Sequence, residues 1–212
     1  MGFSKALVLF FKVPEKGQVK TRLAKTLGNS LTLKIYKHLL KKTIRIMENL
    51  EGIDLFGFYC GKLNWEVLSY FNHKKAWKII PQIGIDFSEK LKGVVEQLFA
   101  LGYEKIVLIG ADCPYITTTY ISSAFENLKK YPVVIGPSKD GGYVLLEISK
   151  NFYNYSILFD GLPFETPDLL KETLLKLREG LFYLLPFHED IDTFGDLVRY
   201  FLRSVAQIKH LR

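Results

Sequence analysis

The feature that most constrains the fold of this chain is a set of short, unbroken apolar runs. Residues 5–12 read KALVLFFK and residues 105–110 read KIVLIG, and neither run alternates polar with apolar side chains. A strand that is apolar on both faces must be covered on both faces, as in a parallel sheet that lies between layers of helices. These runs therefore predict a mostly parallel sheet with helices on each side.

Segments with helical periodicity lie between the predicted strands. The strands are predicted at residues 5–12, 54–60, 76–80, 105–110, 133–136, 143–148 and 181–185, of which residues 143–148 are expected to run antiparallel at an edge of the sheet. The helices are predicted from Asn29 or Ser30 to about residue 50, near Trp65, and at residues 88–101, 118–130, 166–178 and 193–206. Strand–helix alternation without an internal repeat or a long linker predicts one α/β domain over residues 1–212.

The composition excludes several classes of protein. Hydrophobic residues make up 48% of the chain and charged residues 24%, which is ordinary for a globular protein and wrong for a disordered one. The longest apolar run, residues 6–11, is far too short to span a bilayer, and the first residues do not resemble a secretion signal. With only Cys60 and Cys113 present, a disulfide framework is not expected. We therefore expect a cytoplasmic protein without a membrane span.

The net charge of +7 is concentrated in the first quarter of the chain. Residues 1–50 contain eleven Lys or Arg against two acidic residues, whereas residues 51–212 contain eighteen basic and twenty acidic residues. Part of this excess fits the solvated face of the first long helix. Lys12, Lys16, Lys20 and Arg22 instead bracket a Pro/Gly loop, which indicates an anionic partner at that place.

The first polar cluster follows the first predicted strand and reads KVPEKGQVKTRL over residues 12–23. Glycine lets backbone N–H groups approach an anion closely, and flanking cations neutralise the charge of that anion. The spacing matches neither the P-loop pattern nor G-x-G-x-x-G. From spacing alone, a phosphate-binding loop and a basic surface turn are both open.

The second polar cluster, residues 110–114, ends the predicted strand at 105–110 and contains Asp112. Mg²⁺ is commonly held by one or two carboxylates together with substrate phosphates, so Asp112 is a candidate metal ligand. The alternative is that Asp112 caps a turn or the next helix. Cys113 fits a small packing residue better than a nucleophile, because the sequence ties no base partner to it.

Two further clusters follow later strands. Residues 136–143 read GPSKDGGY, in which Asp-Gly-Gly by itself is a hairpin signal. Residues 188–196 read HEDIDTFGD, where Thr193 and Asp196 form a helix-capping pattern. Capping does not explain Asp190 and Asp192, whose mutual repulsion at a strand end requires a cation or a basic group to offset it. Ligands of such sheets bind at the carboxyl ends of the strands, where these clusters are expected to lie.

The clusters together carry a resemblance to a known family. The chain resembles bacterial glycosyltransferase-like, or nucleotide-diphospho-sugar transferase-like, proteins related to 2-phospholactate guanylyltransferase. Four ordered blocks carry it: Lys12-x-Pro14-x-x-Gly17-x-Val19-Lys20-Thr21-Arg22-Leu23, Gly110-x-Asp112-Cys113-Pro114, Gly136-Pro137-x-x-Asp140-Gly141-Gly142-Tyr143 and Asp190-x-Asp192-Thr193-x-x-Asp196-Leu197. The resemblance runs from residue 5 to about residue 200, and it also includes Gln82-x-Gly84-x-Asp86 and Gly161-x-Pro163-x-x-Thr166-Pro167.

The resemblance implies a Rossmann-like three-layer α/β/α sandwich with the nucleotide-diphospho-sugar transferase (GT-A-like) fold. It implies a magnesium or manganese ion on Asp112. Asp192 or Asp190 is the natural second ligand, because Pro114 stands where sugar transferases of this fold carry a second aspartate. The residues expected to bind the nucleotide are Lys12, Gly17, Lys20, Thr21 and Arg22, with Gln82 and Asp86 as candidates for the base or ribose. The residues expected to face the acceptor are Asp140, Gly141, Gly142 and Tyr143.

Two reactions suit this set of residues. In sugar transfer a nucleoside diphosphate leaves, whereas in nucleotidyl transfer the acceptor attacks the α-phosphate and pyrophosphate leaves. Lys20, Arg22 and a metal on Asp112 would stabilise the leaving group in either reaction. The family label and its acceptor loop favour a metal-dependent nucleotide-sugar transferase, with a nucleotidyltransferase as the alternative. The expected partners are a nucleotide or nucleotide-sugar donor and a small acceptor of unknown identity, and the oligomeric state stays open.

The basic first quarter also suits a nucleic-acid-binding protein that contacts phosphates. Three acidic clusters at strand ends oppose that reading, because they would repel a polyanion, and no recognition module is present. An inactive scaffold with the same fold stays open as well.

Overall fold

The computed structural model describes residues 4–71 and 74–209 and forms one seven-stranded sheet over that part of the chain. The strands are Lys5–Lys12 (β1), Asp54–Cys60 (β2), Trp77–Pro81 (β3), Lys105–Gly110 (β4), Val133–Pro137 (β5), Tyr143–Ser149 (β6) and Phe182–Leu184 (β7). Their order across the sheet is β3-β2-β1-β4-β6-β5-β7. Only β6 runs antiparallel to its neighbours among these strands. The mostly parallel sheet predicted from the apolar runs is confirmed.

Helices connect the strands and lie on both sides of the sheet. They are Thr21–Met47 (α1), Trp65–Leu68 (α2), Phe87–Ala100 (α3), Thr118–Asn127 (α4), Leu169–Lys176 (α5) and Phe194–Lys209 (α6), with 3₁₀ turns at Ser69–Phe71 and Tyr155–Leu158. Within residues 4–71 and 74–209, none of these helices has the length and apolar character that crossing a membrane requires.

Two hydrophobic cores lie on opposite faces of the sheet, and β1 contributes to both. Leu7 and Leu9 belong to the core that contains most of the buried apolar residues of α1 and those of α4. Ala6 and Val8 belong to the core on the other face, beneath α3. Successive residues of a strand point to opposite faces, so an unbroken apolar run supplies two cores at once. Full burial of one large aliphatic side chain contributes about 1.5–3 kcal/mol to folding. The predicted three-layer arrangement is thus confirmed.

The position of β6 differs from the sequence prediction. Residues 143–148 were expected to run antiparallel at an edge, and β6 is antiparallel, but it lies inside the sheet between β4 and β5. Every residue of β6 after Tyr143 is buried, which agrees with cover from both helical layers. Its place inside the sheet is due to backbone pairing with β4 on one side and β5 on the other, and the side-chain pattern of a strand does not specify these neighbours. The edge prediction is therefore wrong.

The first long helix also begins earlier than predicted. α1 starts at Thr21 and is interrupted at Gly28, whose φ of 74° and ψ of 157° are not helical. The predicted start at Asn29 or Ser30 coincides with the second segment of this helix. Glycine tolerates the positive φ that the kink requires, and in a sequence it is also a signal that a helix ends or begins. The segment before Gly28 places the N-terminus of α1 directly after the basic loop.

A buried carboxyl group, Glu147, lies in the middle of β6. Its side chain is fully buried, and neither carboxylate oxygen has a hydrogen-bond partner among the described residues. Burial raises the pKa of Glu147 well above the usual value, and the nearby cations Lys105 and Lys5 only partly oppose this shift. The group therefore favours the neutral form in the folded protein.

Replacing Glu147 with leucine is expected to stabilise the protein, and more so at higher pH. The folded pKa is raised, so the native state holds more protons than the unfolded state between the two pKa values, and wild-type stability falls as pH rises through that interval. We expect Glu147→Leu to gain about 1–3 kcal/mol at neutral pH. Urea unfolding at pH 5 and pH 7.5 measures the gain, with the exposed Glu126→Leu as control. An equal or smaller gain at the higher pH would contradict this account.

Candidate active site

The carboxyl ends of β1 and β4 lie side by side and bring three predicted site residues into contact. Lys20 Nζ lies 2.8 Å from Asp112 Oδ2 and donates a hydrogen bond to Asp192 Oδ1 at 2.6 Å. Asp112 follows β4 by two residues, whereas Asp192 lies beyond β7. The Lys20 side chain is only 5% exposed, but Asp112 and Asp192 are 39% and 34% exposed, so both carboxylates keep a side that a ligand can reach.

Lys20 occupies the N-cap of α1 in the left-handed conformation, with φ 47° and ψ 49°. A left-handed conformation costs a non-glycine residue about 1–2 kcal/mol, and such strain is concentrated at functional sites. Lysine has no acceptor atom, so its side chain cannot cap α1, and the first turn carries no acidic residue. The N-terminus of α1 therefore presents N–H groups beside a buried ammonium, which is an arrangement suited to phosphate.

The ion pairs determine the charge of the groups at this centre. Burial acts to lower the pKa of Lys20, but the attraction of Asp112 and Asp192 outweighs it and raises the pKa of the ammonium above its usual value. Burial acts to raise the pKa of Asp112, yet Lys20 holds it below its usual value. Both groups are therefore charged throughout the neutral range.

An acidic cluster made of Asp140, Asp190 and Asp192 adjoins these ion pairs. One carboxylate oxygen from each lies within 4.8 Å of the others. Ser138 Oγ donates a hydrogen bond to Asp190 Oδ1 at 3.0 Å. Burial, together with the negative charges of Asp140 and Asp112, raises the pKa of Asp190 to about 6. A cation held among these oxygens would offset that repulsion, and carboxylate oxygens are the ligands that Mg²⁺ prefers, so the residues fit a divalent metal.

The loop after β5 carries Asp140 into this cluster. Asp140 Oδ1 accepts a hydrogen bond from Gly142 N at 3.0 Å, which closes a tight turn. At Gly141, φ is 92° and an added Cβ would lie 1.9 Å from the carbonyl oxygen of Pro167, so only glycine fits there. Tyr143 packs near Phe164 in the core beneath α3. The predicted acceptor loop is thus split between the acidic cluster and the core, and its acceptor role stays a prediction.

The remaining residues of the predicted phosphate loop surround Lys20. Lys12 is exposed at the end of β1, and its positive charge helps to lower the pKa of Asp112, after the larger effects of burial and Lys20. Gly17 adopts a φ of 83° within the loop, as glycine readily does. Thr21 is exposed at the first position of α1. Arg22 is 71% exposed, with Nη1 3.7 Å from Asp192 Oδ2, so its guanidinium is accessible to an incoming anion.

Gln82 and Asp86 lie on the loop after β3 and have structural partners. Gln82 Nε2 donates to the carbonyl oxygens of Phe58 at 2.9 Å and Phe11 at 3.3 Å, which joins the ends of β2 and β1. Asp86 caps α3 by accepting a hydrogen bond from Glu89 N at 2.8 Å. These partners do not include Lys20, Asp112 or Asp192, and the role of Gln82 and Asp86 at the base or ribose stays a prediction.

Two contacts at the site had no signal in the sequence strong enough to find them. The Tyr36 hydroxyl donates to Lys12 O at 2.9 Å and accepts from Lys12 N at 3.1 Å, which fixes the end of β1. Ser138 orients Asp190, as described above. Tyr36 reads in the sequence only as an apolar-face residue of a helix.

Cys113 is buried, and burial raises the pKa of its thiol to about 12, which fits the predicted packing role.

The family of the chain is shown by a match that covers more than half of its length. A family described as "uncharacterized protein conserved in bacteria" (DUF2064) matches residues 43–166. The chain belongs to this family. The matched segment includes Asp112 and the Asp140 loop.

Curated relatives of this DUF2064 protein carry a more specific name. A 2-phospho-L-lactate guanylyltransferase of Methanocaldococcus infernus is 29% identical over 133 residues, which are 62% of this chain and 56% of that protein. The protein of the same name from another Methanocaldococcus species is 28% identical over 192 residues, which are 88% of this chain and 77% of that protein. The chain thus spans little more than half the length of the first relative.

Solved structures confirm the fold. A protein provisionally described as a nucleotide-diphospho-sugar transferase from Desulfovibrio desulfuricans G20 is 30% identical, with a TM-score of 0.81 and coverage of 90% of this chain and 83% of that one. CMP:2-keto-3-deoxy-manno-octonic acid synthetase with CTP shares the fold at 12% identity and a TM-score of 0.58, covering 97% of this chain and all of that one. Rv0371C of Mycobacterium tuberculosis in complex with manganese also shares the fold. It is 12% identical, with a TM-score of 0.54, and the match covers 93% of this chain and 98% of that one. The Desulfovibrio structure and the curated relatives together support an enzyme of the transferase class that uses a nucleotide, whereas the two structures at 12% identity show the fold alone.

Proposed function

We propose that this protein is a metal-dependent nucleotidyltransferase, which joins a nucleoside monophosphate unit to a small acceptor and releases pyrophosphate. The observation that carries the proposal is the buried Lys20 ammonium between Asp112 and Asp192 at the N-terminus of α1. A cation, helix N–H groups without a side-chain cap, and carboxylates that suit a divalent metal lie together there, which supports binding of a triphosphate with its metal. The guanylyltransferase name of relatives that align with 88% of the chain supports this choice of reaction.

The basic groups would hold the triphosphate. Phosphate oxygens bind readily at a helix N-terminus, and here Arg22 and Lys12 add exposed positive charge on either side of the α1 N-terminus. Lys20 is within reach of the same place and stays protonated, as its ion pairs show. As the acceptor oxygen forms its bond to the α-phosphorus, the bond from that phosphorus to the bridging oxygen breaks. These cations would stabilise the charge that pyrophosphate gains.

The carboxylates would hold the metal ion. Asp112, Asp190 and Asp192 are the ligands favoured by the sequence, whereas the small cluster in the structure groups Asp190 and Asp192 with Asp140 and does not include Asp112, whose role as a ligand stays a prediction. A divalent ion there supplies charge neutralisation at the phosphate oxygens. The manganese in Rv0371C, which shares only the fold, is consistent with magnesium or manganese as the ion in this chain.

Transfer of a sugar from a nucleoside diphosphate is the second candidate, and the sequence by itself favours it. The observation in its favour is the similarity to the Desulfovibrio protein, whose description names a nucleotide-diphospho-sugar transferase. Both reactions use the same phosphate and metal groups, but they release different products. In sugar transfer the same cations would stabilise a nucleoside diphosphate instead of pyrophosphate.

A product assay separates the two reactions. The protein is incubated with Mg²⁺ or Mn²⁺ and either GTP, with the other triphosphates in parallel, or a panel of nucleotide sugars, together with a panel of small phosphorylated and carboxylated acceptors. We expect pyrophosphate from a triphosphate, dependent on both an acceptor and the metal. Release of a nucleoside diphosphate from a nucleotide sugar, without pyrophosphate from any triphosphate, would overturn the proposal in favour of sugar transfer.

A further inference from the structure

A cavity lies next to the two segments that carry Asp140 and Asp190 of the acidic cluster. It has a volume of about 620 Å³ and opens between α1, the N-terminus of α4 and α6. This volume is in the range of sites that hold small organic molecules. The described residues that line the cavity do not include Asp112, Asp140, Asp190 or Asp192, so the cavity is separate from the candidate active site.

Cations dominate the charge of this cavity. Lys42, Lys139 and Arg203 line it together with a single carboxylate, Glu189. Lys139 Nζ lies 2.5 Å and Arg203 Nη2 3.3 Å from Glu189 Oε1, and Glu189 is only 11% exposed. Lys139, Arg203 and Arg199 hold the pKa of Glu189 below its usual value, so Glu189 is negatively charged. The lining therefore carries three positive charges, on Lys42, Lys139 and Arg203, against one negative charge. The net charge of the lining is therefore +2.

The other walls of the cavity combine apolar surface with donors. Tyr115 and Tyr200 supply aromatic surface, their rings lying 5.7 Å apart edge to face. Thr117 is the N-cap of α4 and lines the cavity, so the positive end of that helix faces the same space. His188 also lines the cavity, although its Nε2 atom is itself buried and has no hydrogen-bond partner in the described part of the chain. Such a lining suits a ligand with an anionic group and an apolar body.

In two segments of the chain, one residue lines the cavity and the next belongs to the acidic cluster. Lys139 and Glu189 line the cavity, whereas the next residue in each segment, Asp140 and Asp190, belongs to the acidic cluster. The two segments are joined by a hydrogen bond from Lys139 N to His188 O at 3.0 Å. A ligand in the cavity would therefore touch the same two segments that position the candidate metal ligands.

We propose that this cavity, lined by Lys42, Lys139, Arg203 and the α4 N-terminus, binds a small organic dianion, a phosphate monoester with an aromatic or branched apolar body. Two negative charges match the net charge of the lining, and the aromatic walls match the body. The site is distinct from the one in which the donor nucleotide is proposed to bind.

Calorimetric titration with phenyl phosphate tests this proposal on the full chain. EDTA is present so that the metal site contributes nothing, and benzyl alcohol serves as an uncharged probe. We expect phenyl phosphate to bind and benzyl alcohol not to bind. Arg203→Gln and Lys139→Gln should weaken phenyl phosphate binding by about tenfold or more. Lys20→Gln in the active site and Lys129→Gln, an exposed lysine two residues beyond the end of α4, should leave it unchanged.

Lys139 is 59% exposed, so its replacement should leave the fold intact, and circular dichroism checks this for every variant. The proposal would be overturned if phenyl phosphate did not bind to the wild type. It would also be overturned if Arg203→Gln and Lys139→Gln bound phenyl phosphate as tightly as the wild type does. Loss of binding in Lys20→Gln alone would overturn it too, because it would place the anion in the active site. Titration of GTP with Mg²⁺ into the same variants reports on the proposed reaction separately, since that titration depends on the Lys20 centre.

Discussion

Lys20→Met is expected to weaken binding of the metal–nucleotide complex by about 10- to 100-fold, as the loss of one or two charge-assisted hydrogen bonds implies. It should also lower the free energy of unfolding, because Asp112 and Asp192 lose the ammonium that both of them contact. Breaking a buried ion pair costs about 3–5 kcal/mol, but both carboxylates are about one third exposed, so we expect about 1–3 kcal/mol here.

The same variant gives a more specific result with metal alone. In the wild type, the ammonium of Lys20 already offsets the charge of Asp112 and Asp192, so it competes with a divalent ion for these carboxylates. Without nucleotide, Mg²⁺ or Mn²⁺ should therefore raise the melting temperature of Lys20→Met more than that of the wild type. The control is Arg22→Met, since Arg22 is 71% exposed and its loss should have little effect on stability. A metal response in Lys20→Met no larger than that of the wild type would contradict this account.

Asp112→Asn is expected to remove the metal dependence of nucleotide binding and to lower the turnover rate by about 100-fold or more. Loss of a residue that merely orients a metal ligand costs about 10- to 100-fold in metal affinity or activity, and loss of a ligand should cost at least as much. The reason lies in the position of Asp112, which extends from the end of β4 with its carboxylate partly exposed beside Lys20.

Calorimetry with and without EDTA measures this effect, and Asp160→Asn is the matched control. Asp160 is an exposed aspartate that pairs with Lys92 on the surface, so its replacement should change neither binding nor turnover. Nucleotide binding by Asp112→Asn that still strengthens on addition of metal would exclude Asp112 as a metal ligand. Unfolding of the variant would be visible as a loss of circular dichroism.

Much of the fold follows from the apolar runs of the sequence. β1 and β4 were predicted with their observed bounds, because a run such as KIVLIG has few alternatives to a strand buried on both faces. The neighbouring ends of these two strands explain why Asp112 and the loop before Lys20 could be predicted to converge. Asp192 was expected at the same end of the sheet, but its contact with Lys20, 172 positions away in the sequence, depends on the path of the chain after β7, which is next to neither β1 nor β4.

Other features depend on tertiary contacts that no local pattern contains. The antiparallel direction of β6 was predicted, but its place inside the sheet depends on which strand pairs with β4, and the periodicity of a strand does not specify its neighbours. Asp140 reads as part of a hairpin turn, whereas its nearness to Asp190 depends on packing of its loop against Pro167. The cavity formed by α1, α4 and α6 likewise depends on how three separate helices pack.

The central claim, that the Lys20 centre binds a nucleotide together with a divalent metal, is tested most directly by thermal unfolding. The melting temperature is measured with each nucleoside triphosphate and with nucleotide sugars, in Mg²⁺ or Mn²⁺ and in EDTA. A ligand at about 100 times its Kd adds about 2.7 kcal/mol, which raises the melting temperature of a protein this size by several degrees. We expect such a rise for at least one nucleotide with metal and a smaller one in EDTA. No rise with any of these nucleotides in the presence of metal would contradict the claim.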